Sequence, residues 1–285
     1  MSRLFTFVIH GVTVQLRVDP PELIALAEGL YSACQPRVED CAPDAPAQIA
    51  WENRKPGQTT LVFRGTPVLQ ATTEAELYFQ SEHMLNQMFT IRLDRLLHVH
   101  AAAVVTPDGG AWLVCGPSRA GKTSLTLALL LHGWQWLSDE FVFFDPNNLA
   151  NALGFRRNFN LKEPSFPLFP ETASLPHNRE FFSHARQTRI RFIDPTDLSP
   201  NGWRESAPLS GILLPRFDDQ ITAPQLERKD SLEAVQVLLG ETACWQPWAL
   251  QFLSRICQEL PVLEFAYNHP RHIEPLVEEI QRNSS

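Results

Sequence analysis

The sequence predicts an α/β protein. Apolar strand-like runs alternate with amphipathic helical stretches from about Leu96 onward. One of those runs, Ala111–Cys115, enters a glycine-containing loop that opens straight into a helix. The 285 residues, 44% hydrophobic and 20% charged, also suffice for a sizeable core in one large or two modest domains.

The net charge of −8 excludes a broad basic face for nucleic acid, so an anionic ligand has to be met by a local positive site. The apolar runs Leu127–Leu131 and Phe141–Phe144 are far shorter than the roughly 18 residues of a membrane span, and Met1–Leu16 turns polar too early for a secretory signal. A cytoplasmic protein without membrane contact is expected. Five cysteines with no C-x-x-C spacing argue for reduced core thiols over a disulfide framework or zinc cage.

Along the chain, residues 3–18 alternate around His10-Gly11 as a β-hairpin, and Pro20-Pro21 opens a helix to about Cys34. Residues 35–48 carry three prolines and read as loop. Ala47–Glu52 and Thr59–Arg64 are strand-like, and Thr73 with Glu76 has capping-box spacing before a helix to about Leu93. Residues 1–94 thus read as a small α+β N-terminal domain that announces no chemistry, and residues 95–285 as a second domain.

In the second domain, His100–Val105 is a strand, Pro107–Gly110 a turn and Ala111–Cys115 a strand. Ser124–Leu131 is a helix, with Gly133 suited to the left-handed position after it. Trp134–Phe144 reads as one buried strand. Residues 151–200, rich in proline and arginine, read as an irregular excursion. Gly211–Leu214 is a strand, Ser231–Leu239 and Trp248–Leu260 are helices, Val262–Tyr267 is a strand and Ile273–Gln281 a closing helix. Trp134, Trp136, Trp245 and Trp248 are expected to pack helices on the sheet.

The loop reads Gly116-Pro117-Ser118-Arg119-Ala120-Gly121-Lys122-Thr123, followed by Ser124, and satisfies G-x-x-x-x-G-K-[ST]. In that spacing backbone N–H groups turn inward to cradle phosphates, and the following helix aims its positive end at them. Lys122 would neutralise the β/γ oxygens, and the Thr123 hydroxyl would ligate Mg²⁺. Seventeen positions after Lys122 come Asp139 and Glu140, flanked by apolar strand residues. A parallel strand beside the loop would deliver there a metal-organising acid and a base.

The segment His100-Ala101-Ala102-Ala103-Val104, the GPSRAGKT loop, the helix ending at Gly133 and Leu137-Ser138-Asp139-Glu140 resemble the core of bacterial HPr serine kinase/phosphorylase. Leu161-Lys162 and Leu213-Leu214-Pro215-Arg216 resemble the shorter HPr-kinase-related proteins. The resemblance is specific over about residues 96–145, and it implies a P-loop kinase-like core of HPr-kinase type. It implies ATP and Mg²⁺ as cofactors, with Gly116 to Ser124 around the phosphates and Thr123 and Asp139 on the metal. Lys122 would lie on the transferring group, Glu140 would be the base (or Asp139, with the roles exchanged), and His100 the active-site histidine. His98, two residues away, could stand in for His100. The sequence departs from the family at Arg119, where these loops have glycine, at Glu140, which replaces Asp, and in lacking the downstream signature.

Arg156, Arg157, Lys162, Arg179, Arg186, Arg189 and Arg191 could form a phosphate-recognising lid. The expected activity is transfer of the γ-phosphoryl of ATP to a Ser/Thr hydroxyl of a protein or peptide. The alternatives are a small-molecule kinase on the same site and a nucleotide-dependent switch or NTPase that acts by partner binding. Self-association is left open.

Overall fold

The alternating residues on either side of His10-Gly11 fold as expected in the computed structural model, which describes residues 1–55, 58–185 and 187–284. β1 (Ser2–Ile9) and β2 (Val12–Val18) pair antiparallel, from Ile9↔Val12 to Arg3↔Val18. His10 and Gly11 both take positive φ, the geometry of a two-residue turn matched to strand twist. A 3-10 turn at Pro21–Leu23 leads into α1 (Ile24–Leu30). The sequence gives residues 35–48 as loop, yet they contain β3 (Arg37–Cys41), an edge strand on β1. Its charged, half-exposed RVEDC sequence shows little apolar alternation.

β4 (Ile49–Lys55), β5 (Gln58–Phe63) and β6 (Thr66–Ala71) complete a six-stranded sheet ordered β3-β1-β2-β4-β5-β6. α2 (Glu74–Arg92) covers it, burying Leu77, Tyr78, Leu85, Met88 and Phe89. The Thr73 hydroxyl accepts from Glu76 N at 3.2 Å, while the Glu76 carboxylate turns back to Thr72 instead of closing the box on Thr73.

The second part of the chain begins with β7 (Leu97–Val99) and β8 (Ala102–Val105), so His100 stands at a break between two strands and not inside one. β9 (Ala111–Val114) and α3 (Lys122–Leu131) follow. The expected single strand from Trp134 to Phe144 is two, β10 (Gln135–Ser138) and β11 (Val142–Asp145), separated at Asp139-Glu140-Phe141. β12 (Asn148–Leu153) precedes a three-stranded antiparallel sheet of β13 (Phe159–Lys162), β14 (Arg179–Ser183) and β15 (Thr188–Ile193), ordered β13-β15-β14. The irregular excursion expected over 151–200 is therefore a small sheet with 3-10 turns between its strands. Its prolines lie outside the strands, four of them in 3-10 turns, and leave the ladders intact.

β16 (Ser206–Phe217), β17 (Gln225–Arg228), α4 (Ser231–Gly240), β18 (Thr242–Cys244), α5 (Ala249–Glu259), β19 (Val262–Tyr267) and α6 (Glu274–Ser284) complete the chain. β16 is long enough to serve two neighbourhoods. Its first residues pair antiparallel with β12; from Leu209 it runs parallel to β9 and from Ile212 also parallel to β19 on its other side. From Ile212 its side chains alternate. Ile212 and Leu214 face the core made with α4 and α5, and Leu213 faces the core made with α3 and α6. The sheet is thus covered by helices on both faces, as an α/β protein with parallel central strands requires.

The strand carrying the acids does not lie directly beside the glycine loop's strand, as the sequence reading expects. β8 intervenes, antiparallel to both, so β10 and β9 run in the same direction one strand apart. Both release their chains at the same edge of the sheet. Of the four tryptophans named above, Trp134 and Trp136 are buried, whereas Trp245 is 55% exposed. Among the described residues Cys34, Cys41, Cys115 and Cys257 are free, and no helix is long and apolar enough to cross a membrane.

Candidate active site

The loop between β9 and α3 is shaped by the carboxyl ends of its parallel neighbours. Cys115 N donates to Leu213 O at 2.9 Å, and Phe217 N donates to Ala120 O at 3.1 Å. The Tyr267 hydroxyl donates to Gly121 O at 2.9 Å. Gly121 has φ +102°, and a Cβ there would lie 2.3 Å from the Tyr267 hydroxyl, so both backbone and space demand glycine. Pro117, Ser118 and Arg119 form an exposed rim, and Arg119 adopts φ +76°, a left-handed conformation suited to glycine. Its side chain is carried on the exposed rim.

α3 begins at Lys122, two residues earlier than the periodicity suggests, which puts Lys122, Thr123 and Ser124 in its first turn with their N–H groups at the positive end. The Lys122 ammonium donates to Gly116 O at 2.5 Å. Ser124 is buried, and its hydroxyl donates to the Ser165 hydroxyl at 3.3 Å. Lys162 reaches the rim, Nζ lying 3.4 Å from the Ser118 hydroxyl.

At the end of β10 the Ser138 hydroxyl accepts from both Glu140 N and Phe141 N at 3.1 Å, a local turn that stops the strand where the two acids begin. Asp139 is 6% exposed. Thr123 Oγ1 donates to Asp139 Oδ2 at 3.1 Å, joining the start of α3 to the acidic turn, and Asn160 N lies 3.5 Å from the same oxygen. Among the described residues no donor reaches the other oxygen, Oδ1. Burial, reinforced by the neighbouring Glu140 charge, pushes the Asp139 carboxyl up to about 7, against the opposing pull of Thr123 and Arg157.

Glu140 faces a different set of partners. His100 Nε2 lies 3.9 Å from Glu140 Oε1, and Arg157 Nη1 lies 3.6 Å from Oε2. His100 Nδ1 is 2.7 Å from Glu241 Oε2, which is itself 3.9 Å from Lys122 Nζ. At the other end, buried Arg157 is paired through Nη2 with Glu82 of α2. Lys122, Glu241, His100, Glu140, Arg157 and Glu82 therefore form a line in which basic and acidic groups alternate. It runs from the glycine loop to the helix over the first sheet.

His98 has no part in this line. It is fully buried, its Nε2 is 2.8 Å from Leu93 O, and its ring packs edge-on to Phe143. It cannot stand in for His100. Several arginines considered for a lid are engaged elsewhere. Arg156 donates to Ala33 O and stacks on Trp203, and Arg191 pairs with Glu180 and Thr172 beneath Phe166. Arg186 lies outside the described residues.

Glu241 and Glu82 escaped the sequence reading. Glu241 follows the glycine at the end of α4 and looks like an ordinary helix terminus. Glu82 did leave a signal, because with Tyr78, Leu85 and Phe89 it falls on the buried stripe of α2, where an unpaired carboxylate would be costly.

No protein-family model and no curated protein matches this chain. Among solved structures, the Hpr(Ser) kinase/phosphatase from Coxiella burnetii aligns with 66% of this chain and 95% of its own, at 14% identity and a TM-score of 0.32. So loose a superposition leaves the functional reading to rest on the site geometry.

Proposed function

We propose that this protein is an ATP-dependent, Mg²⁺-requiring kinase that moves the γ-phosphoryl group to a Ser/Thr hydroxyl of a protein or peptide. The observation that carries the proposal is the Thr123–Asp139 contact. It brings the G-x-x-x-x-G-K-T turn and the acidic pair to one edge of the sheet, with Glu140 beside His100. The protein or peptide nature of the acceptor follows from the sequence resemblance alone.

The chemistry of the donors suits Mg²⁺. Thr123 offers a hydroxyl and Asp139 a buried carboxylate with one oxygen that accepts no hydrogen bond from the described residues. Hard oxygen donors in small number, completed by phosphates and water, are what this ion takes. Among the described residues there is no cluster of three or more His, Cys, Asp or Glu that could hold a metal, so an all-protein cage is not on offer. Thr123 and Asp139 would hold the ion, which when bound supplies neutralisation of charge on the phosphate oxygens.

The chain's own residues perform the remaining work. The N–H groups of the loop and the first turn of α3 bind the phosphates, and Lys122 exchanges Gly116 O for a phosphate oxygen. Glu140 is better placed as the base than Asp139, whose carboxylate is already engaged by Thr123. Glu140 takes the acceptor's hydroxyl proton as the oxygen bonds to the γ-phosphorus and the bridging P–O bond breaks, ADP leaving with the electron pair.

The test is transfer from γ-labelled ATP in host lysate with the full chain. Mg²⁺-dependent label on a Ser or Thr side chain is expected. Glu140→Gln should cut transfer by about 10²-fold or more while ATP binding survives. Lys122→Ala should cost about 10²–10³-fold through loss of the phosphate clamp. Release of free phosphate with no labelled acceptor, or wild-type transfer by the Lys122 variant, overturns the assignment.

A further inference from the structure

One acid in the charged line, Glu241, is marked by no motif. Glu241 caps α4, and its carbonyl accepts from His100 N at 2.7 Å while its carboxylate faces His100 Nδ1 at 2.7 Å. One residue thus grips both the main chain and the ring of His100. The Glu241 side chain is only 16% exposed, so the contact is a short, charge-assisted one held largely away from water. The same carboxylate lies 3.9 Å from Lys122 Nζ, and the His100 ring also faces Glu140 and the tilted ring of Phe141.

A neutral imidazole carries its proton on one nitrogen only, and the partner of that nitrogen decides which. A carboxylate can only accept, so Nδ1 must donate to Glu241. That leaves the lone pair of Nε2 directed to the Glu140 side. In the other tautomer Nδ1 and the Glu241 carboxylate would face each other as two acceptors.

We infer that Glu241 is a positioning residue that fixes His100 as its Nδ1–H tautomer, so that Nε2 receives the proton Glu140 removes from the acceptor. The relay half rests on the kinase function proposed above; the tautomer half does not. The proton moves from the acceptor oxygen to Glu140 and on to Nε2 of His100. His100, with its side chain 36% exposed, then releases it to water. Because Glu241 also faces Lys122, the same carboxylate ties the phosphate-facing lysine to the histidine.

The experiment is long-range ¹H–¹⁵N correlation of histidine-labelled full-length protein at alkaline pH, with His100→Gln used to assign the signal. The wild type is expected to show Nδ1–H. Glu241→Ala should move His100 toward the Nε2–H form and lower the transfer rate by about 10- to 100-fold, as loss of an orienting partner commonly does. Glu241→Asp should restore part of both. Glu241→Gln, which keeps the side-chain shape, serves if the alanine variant does not fold. Its loss of the carboxylate charge should likewise weaken the Nδ1–H preference. An Nε2–H wild type, or a tautomer unchanged in the Glu241 variants, overturns the inference. A tautomer shift in a protein whose wild type transfers no phosphoryl group supports Glu241's positioning role and overturns the kinase function instead.

Discussion

Asp139 is a carboxyl that burial keeps from ionising easily, and this has a measurable sign. With its folded value near 7 and an ordinary value of 3.8, the native state binds more protons than the unfolded state between about pH 4 and 7. Stability therefore falls as pH rises through that window and levels off above it. Asp139→Asn removes the titration. Without added metal, its melting temperature should exceed the wild type's at pH 8, by an amount worth a few kcal/mol, and approach it near pH 4. A constant offset across the range would exclude Asp139 as the source. Within the loop, Gly121→Ala should destabilise by about 2 kcal/mol or more, since it must displace the Tyr267 hydroxyl as well as adopt φ +102°. Arg119→Gly should instead be tolerated or stabilise by up to about 1 kcal/mol, because φ +76° costs arginine what it does not cost glycine. Denaturant titration reads both. The glycine loop and the acidic pair could be found in the sequence because each is contiguous and carries its chemistry in its spacing. Glu241 was hidden because its partner His100 is 141 residues away, and nothing local distinguishes it from a solvated helix end.

Among the elements, those with strong internal patterning were legible: the first hairpin, α2, α3, α5 and β19 all fall close to the spans their periodicity gives. β3 and β6 were not, because edge strands need only one hydrogen-bonded neighbour and are largely exposed, so neither shows a buried apolar alternation. The strands of the 151–200 region were masked by prolines that lie in the turns before, between and after them. α2 supplies a test at this scale. Thr73→Ala removes the acceptor for Glu76 N and should cost about 1 kcal/mol of stability. Glu76→Ala should cost a comparable or smaller amount, through the separate loss of its bonds to Thr72.

For the whole molecule, the apolar core under the first sheet does not stop near residue 94. Phe143, Phe155, Ile190 and Phe192 pack into it with Trp51, Tyr78 and Phe89, and Arg157 crosses to Glu82. A fragment of residues 95–285 would expose those rings and take the Glu82 carboxylate from Arg157, so it should aggregate or lose its sharp melting transition. The intact chain should unfold in one cooperative step by calorimetry; two resolved transitions would show that the halves are energetically separate. The parallel stacking of β9, β16 and β19 has a temporal consequence as well. Tyr267, which closes over Gly121, is 146 residues downstream of it. A ribosome-bound chain can complete its first six strands early, but the glycine loop takes its shape only once the much later β19 has emerged.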